Sequence, residues 1–270
     1  MPRLSTALVA ALLLALVASR PPSAEEVKTD PEPPEWAQQL RLVLHGGPLA
    51  SDVEVTLNGQ FVILVQGEPE WFHAIADLVK PGVNELKIAL KKPDTPRTGS
   101  DDLTVEVREV SETARKVVTK GNSLAEIAVP ASAPSEPSCE TTVRFWAGPP
   151  PGPAPTGLKN AYWLYATGPS ARVSVGVVVN DRLVYETSSG QAWFEITPFV
   201  HKGKNTVTFE LRPTCLVPDT GRPGSLVVGV GPARLRGHTV EMTEPPQAEV
   251  EIDPKRDTTE KVMRRSFRAW

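Results

Sequence analysis

The residues best suited to chemistry in this sequence are two aromatic pairs, Trp71-Phe72 and Trp193-Phe194, each set among hydrogen-bonding side chains. A tryptophan face stacks on the apolar face of a sugar ring. Gln66, Glu68 and His73 beside the first pair, or Gln191 and Glu195 beside the second, would then bond to ring hydroxyls. Adjacent strand residues point to opposite faces, so one member of each pair belongs to a core and the other looks outward. Tyr162, Trp163, Tyr165 and Tyr185 widen the aromatic surface of the second region, which makes it the better candidate for a ligand. The competing expectation is that these rings simply pack.

The sequence offers no comparable case for catalysis. It contains no nucleophile elbow, no glycine-rich phosphate loop and no histidine set near an acid and a serine in a recognisable motif. His45, His73, His201 and His238 lie at distances without metal-ligand spacing. No cofactor is expected. Calcium bound by loop oxygens leaves no spacing signature, and Asp52, Asp101 and Asp102 are the acids that would contribute. With 32 acids in the chain, a hydrolase is an alternative only if acids or a histidine from both halves gather in one cleft.

The elements that must position these residues are short strands. Val53, Val55 and Leu57 alternate with Glu54 and Thr56, the period of a half-buried strand, and Asn58-Gly59 supplies a tight hairpin turn before Phe61 to Val65. A short turn near Asp77 ends at Pro81-Gly82. Leu86, Ile88 and Leu90, then Leu103, Val105 and Val107, alternate in the same way. The order is written a second time, 121 to 122 positions later, with Asn180-Asp181, Trp193-Phe194 and Gly203-Lys204-Asn205. The closing segments 125–130 and 248–254 also match. Such a repeat argues for duplicated units. Thr141 to Trp146 reads as an extra edge strand of the second unit.

With 28 prolines and 19 glycines in 270 residues, and a formal charge of -3, the composition suits stiff loops between strands and gives no positive field for nucleic acid. From Ala7 to Ala18 the chain is continuously apolar. That run is too short to span a bilayer and fits a secretory signal peptide, cleaved after Ser19 or Ala24. A secreted, periplasmic or envelope location is therefore expected, with no transmembrane span in the mature chain. Cys139 and Cys215, the only cysteines, are expected to pair and to staple the second unit, contributing roughly 4 kcal/mol by loop closure. Residues 255–270 form a basic tail, read as a frayed terminus.

Each repeat, with its Asn-Gly or Asn-Asp turn, aromatic pair, short turn and Gly-x-Asn, resembles the galactose-binding-like jelly roll. The likeness is to the sugar-binding accessory domain of β-galactosidase-type and β-glucuronidase-type glycoside hydrolases. Phe194-Glu195-Ile196-Thr197 with Gly203 and Asn205 carries it in the second copy, and Phe72 to Asn84 in the first. Ala74 and Glu195 stand where the family has an Asp, and no catalytic barrel follows. The resemblance implies an all-β chain of two tandem jelly-roll-like β-sandwich domains related by internal duplication. The expected boundaries are a signal peptide and cleavage region at 1–24, a proline-rich lead-in at 25–39 and a first sandwich at 40–130. A linker at 131–138 leads to a second sandwich at 139–254 and the tail at 255–270. Immunoglobulin-like modules are the runner-up fold. The function expected is a non-catalytic module binding a glycan or an envelope protein; a structural adaptor that binds a protein partner is the alternative.

Overall fold

Alternation becomes burial along the first half of the chain. In a computed structural model, residues 32–67, 72–96, 98–113, 116–131, 139–149, 156–168, 173–187, 191–216, 224–237, 239–253 and 256–270 are described. After a short helix α1 (Glu35–Gln38) come β1 (Leu40–Gly46), β2 (Asp52–Leu57), β3 (Gln60–Val65), β4 (Phe72–Ala74) and β5 (Gly82–Lys91). β6 (Leu103–Thr113), β7 (Lys116–Val129) and β8 (Glu140–Ala147) follow. Val53, Val55 and Leu57 on β2 are wholly buried, while Glu54 and Thr56 between them are half-buried. The strands form two antiparallel sheets, ordered β4-β1-β6-β7 and β3-β2-β5-β8. Both contribute to one apolar cluster that contains Leu42, Val55, Ile88, Val105, Ile127 and Phe145.

The second half repeats that plan. Its strands are β9 (Ala161–Thr167), β10 (Val173–Val179), β11 (Arg182–Thr187), β12 (Gln191–Glu195), β13 (Gly203–Pro213), β14 (Leu226–Arg236), β15 (Thr239–Met242), β16 (Ala248–Ile252) and β17 (Lys261–Ala269). One sheet runs β12-β9-β14, with β15 and β16 both paired to β14; the other runs β11-β10-β13-β17. Tyr162, Val177, Phe209, Val228, Val250 and Phe267 belong to the second apolar cluster.

The repeated turn residues act as clasps. Asn58 (φ 52°) and Gly59 (φ 77°) make the left-handed pair that closes the β2–β3 hairpin. Asn58 Nδ2 donates to Asn84 Oδ1 and to the Leu78 carbonyl, both at 2.8 Å. Asn84, 1% exposed, donates in turn to the carbonyls of Lys80 and Gly82. Asn180 and Asn205 repeat the arrangement, with Asn180 Nδ2 at 2.8 Å from Asn205 Oδ1 and Asn205 donating to His201 and Gly203. A hairpin tip is thereby tied to the start of the neighbouring strand, and the buried amides are satisfied.

Four expectations are corrected. The two tandem jelly-roll β-sandwich domains are not formed. Rolling one long hairpin into a jelly roll pairs the first strand with the eighth, the second with the seventh and the third with the sixth. Here β1 pairs with β4 and β6, β2 with β3 and β5, and β8 with β5. The chain builds a propeller-like set of four blade-sized sheets, and Pro33–Trp270 is one compact unit. Alternation assigned the strands correctly but carries no information about partners.

Residues 141–146 do not join the second unit, because β8 extends the β5 edge and buries Val143 and Phe145 in the first cluster. The Cys139–Cys215 disulfide forms, but it does not staple the second unit alone. It links the chain just before β8 to the segment after β13. The basic tail is not frayed, since residues 261–269 pair with β13 from Gly203 to Leu211 and bury Phe267 and Ala269. The signal peptide, residues 25–31 of the lead-in and residues 132–138 of the linker lie outside the described residues.

The outward face of β8 meets the second half. Arg144 Nε donates to Glu186 at 2.8 Å and its Nη2 to Glu210 at 2.9 Å. Glu186, fully buried, also accepts from Ser174 Oγ at 2.6 Å. Burial opposes the Arg144 charge, but the hydrogen bonds it donates to Glu210 and Glu186, with their negative charges, outweigh it and raise the guanidinium pKa above its ordinary value.

Candidate functional site: an aromatic cleft

Beside this junction the chain leaves an open cleft of about 200 Å³. α1 supplies Trp36, which the sequence carries in a run of prolines. The Ala37 amide bonds back to the Pro34 carbonyl at 2.8 Å and fixes the turn. The indole of Trp36 lies over Gly148, where a Cβ would stand 3.2 Å from the ring. Gly148 is also at φ 86°, so the backbone favours glycine there and a Cβ would crowd the ring.

β8 supplies Trp146, on the strand face turned away from the core. Its ring meets Phe199 edge-on, with centroids 5.7 Å apart and planes at 80°. Phe199 ends the short 3₁₀ turn Thr197–Phe199, which follows Phe194 and Glu195 at the end of β12. Leu40 and Leu124 complete the apolar lining, and Glu109 of β6 brings a second carboxylate.

The lining carries charge as well as rings. The Trp146 Nε1 is buried away from solvent, so the indole offers the cleft its ring and not its N–H. Glu109 and Glu195 are both exposed, so either can accept from a ligand hydroxyl or face a ligand charge.

Of the residues expected to form a site, only Phe194 and Glu195 line this cleft. Trp193, two residues before Glu195 on β12, does not line the cleft; it is half-buried with its ring 5.5 Å from Tyr165. Tyr165 is itself buried and donates to Glu249. Tyr185 cannot touch a ligand: it is 2% exposed and stacks on Phe194 at 5.3 Å. Burial first, then the nearby charges of Glu126 and Glu106, pushes its hydroxyl pKa up. Gln66 donates to Asp52 at 3.0 Å, and His73 sits half-buried on β4 opposite Leu42, so both belong to the first half's own sheets. Trp71, Glu68 and the Gln191 side chain lie outside the described residues.

The histidines stay dispersed. His45 contacts Glu106 at 3.1 Å, His201 contacts the Asn180 amide at 3.2 Å, and His238 lies outside the described residues. Among the described residues no group of three or more His, Cys, Asp or Glu side chains is placed to hold a metal ion. Asp102 instead accepts from the Ala131 amide, and Asp101 from the Asp102 amide.

Sequence reasoning missed Trp36, Trp146, Phe199 and Glu109. A lone tryptophan in a proline-rich polar segment was a usable signal for Trp36. Nothing local marked the others, because their meeting depends on how the two halves pack.

Comparison with protein-family models, with curated proteins and with solved structures finds no match. The resemblance to galactose-binding-like jelly rolls is withdrawn. The strand pairing is a different one, and the shared residues prove to be the hairpin tips and asparagine clasps that many antiparallel folds need. No helix among the described residues is long and apolar enough to cross a membrane.

Proposed function

We propose that this chain is an exported, non-catalytic glycan-binding module acting at the cell envelope or outside it, with the aromatic cleft as its binding site. The observation that carries this reading is the meeting of Trp36 and Trp146 with two exposed carboxylates in one concave, mainly apolar space. Indole faces stack on sugar C–H faces, while Glu109 and Glu195 would accept from hydroxyls. The volume is in keeping with one sugar ring held at a time. The apolar run at residues 7–18 supports export.

The test is a glycan array with the full chain and its Trp36→Ala, Trp146→Ala and Trp193→Ala forms. Saturable binding that weakens about tenfold or more in the two cleft variants, and stays near wild type in Trp193→Ala, supports the reading. Binding lost only in Trp193→Ala moves the site to the outer face of β12.

One observation favours a second reading, a small hydrolase: Glu109 and Glu195 come from different halves to the same cleft. Against it, neither carboxylate is oriented by a hydrogen bond, whereas catalytic acids are held in place. Turnover of aryl glycosides that disappears in both Glu109→Gln and Glu195→Gln would establish the hydrolase instead.

A further inference from the structure

We infer that the cleft selects a cationic ring, an amino sugar with a free ammonium group, over its neutral and acidic counterparts; this rests on the glycan-binding reading above. The argument begins with the charges. Glu109 and Glu195 line the cleft, and among the described residues lining it there is no Lys, Arg or His. Arg41, the base adjoining Leu40, directs its guanidinium to the carbonyls of Gln38 and Leu40 at 2.6 and 3.0 Å.

A neutral sugar meets the two carboxylates with hydroxyl hydrogen bonds alone, and an acidic one is repelled by them. An ammonium group gains twice: from the carboxylates, and from the negative faces of the flanking aromatic rings when it approaches within roughly 6 Å of a ring centre. The rest of the lining, with Trp36, Leu40, Leu124 and Phe199, is apolar and asks for a C–H face beside the charge. A bare ammonium ion leaves that floor uncovered; a pyranose bearing an amine supplies ammonium and C–H face together. This combination favours a saccharide over a simple amine.

The experiment is calorimetric titration of the full chain with four probes of equal length: β-1,4-linked tetramers of glucosamine, of N-acetylglucosamine and of glucose, and tetralysine. The glucosamine tetramer is expected to bind about tenfold more tightly than either neutral tetramer, the size of one charge-assisted contact. Glu109→Gln and Glu195→Gln, both at exposed positions, are each expected to reduce that preference about threefold. The double variant should abolish it, leaving the three tetramers alike in affinity, with thermal melts confirming that the variants fold.

Equal binding of amino and neutral tetramers overturns the charge selection and leaves the glycan-binding reading standing. Binding of tetralysine as tight as that of the glucosamine tetramer makes the ligand a cationic peptide and overturns the amino-sugar assignment. Silence of all three tetramers overturns both.

Discussion

Single residues in this chain divide into those that hold backbone and those that face the cleft. Asn84 and Asn205 hold backbone, each buried and each satisfying its neighbours through both ends of its amide. Asn205→Ala would leave the Asn180 amide and the His201 and Gly203 carbonyls short of partners, and chemical denaturation is expected to show a loss of about 2–4 kcal/mol. Gly148→Ala acts on the cleft through shape, since its Cβ would press on Trp36 at a positive φ. A loss of about 1–2 kcal/mol is expected, together with weaker ligand binding. Tyr185 predicts an alkaline effect. Its pKa is raised on folding, so its contribution is fully present below about pH 10 and is lost as pH rises beyond it. Stability measured from pH 8 to 12 should fall above pH 10, and Tyr185→Phe should flatten that fall.

Among the elements, β8 does the most to make one body of the chain. One face fills the first apolar cluster with Val143 and Phe145, and the other presents Arg144 and Trp146 to the second half. Arg144→Ala strands the fully buried Glu186 without its counter-ion, and a loss of about 3–5 kcal/mol is expected in denaturant titrations. A drop below 1 kcal/mol would mean that water already screens this pair. β17 matters in the same way at the far edge. Its Phe267 and Ala269 are buried, so a chain truncated before Lys261 should become protease-sensitive and should melt earlier, which a truly frayed tail would not cause.

At the scale of the whole molecule, two repeated sheet pairs behave as one compact unit from Pro33 to Trp270, crossed by a buried ion-pair network and by Cys139–Cys215. Thermal unfolding is therefore expected as a single transition, and reduction of the disulfide should lower stability by about 2–4 kcal/mol without splitting that transition in two. The sequence by itself determined the strands, their buried faces and the hairpin turns, because side-chain alternation and left-handed turn residues are local properties of the chain. It also paired the two cysteines by number alone. Which strand lies beside which was decided only in three dimensions: β8 reads equally well as an edge for either half, and its apolar face went to the first cluster because the open edge of β5 was there to receive it. The cleft has the same origin. Trp36, Glu109, Trp146 and Glu195 are separated by tens of residues and share no spacing, so no local pattern could announce their meeting. They form a site because the packing of two halves, an energetic balance over the whole body, leaves a gap between their edges.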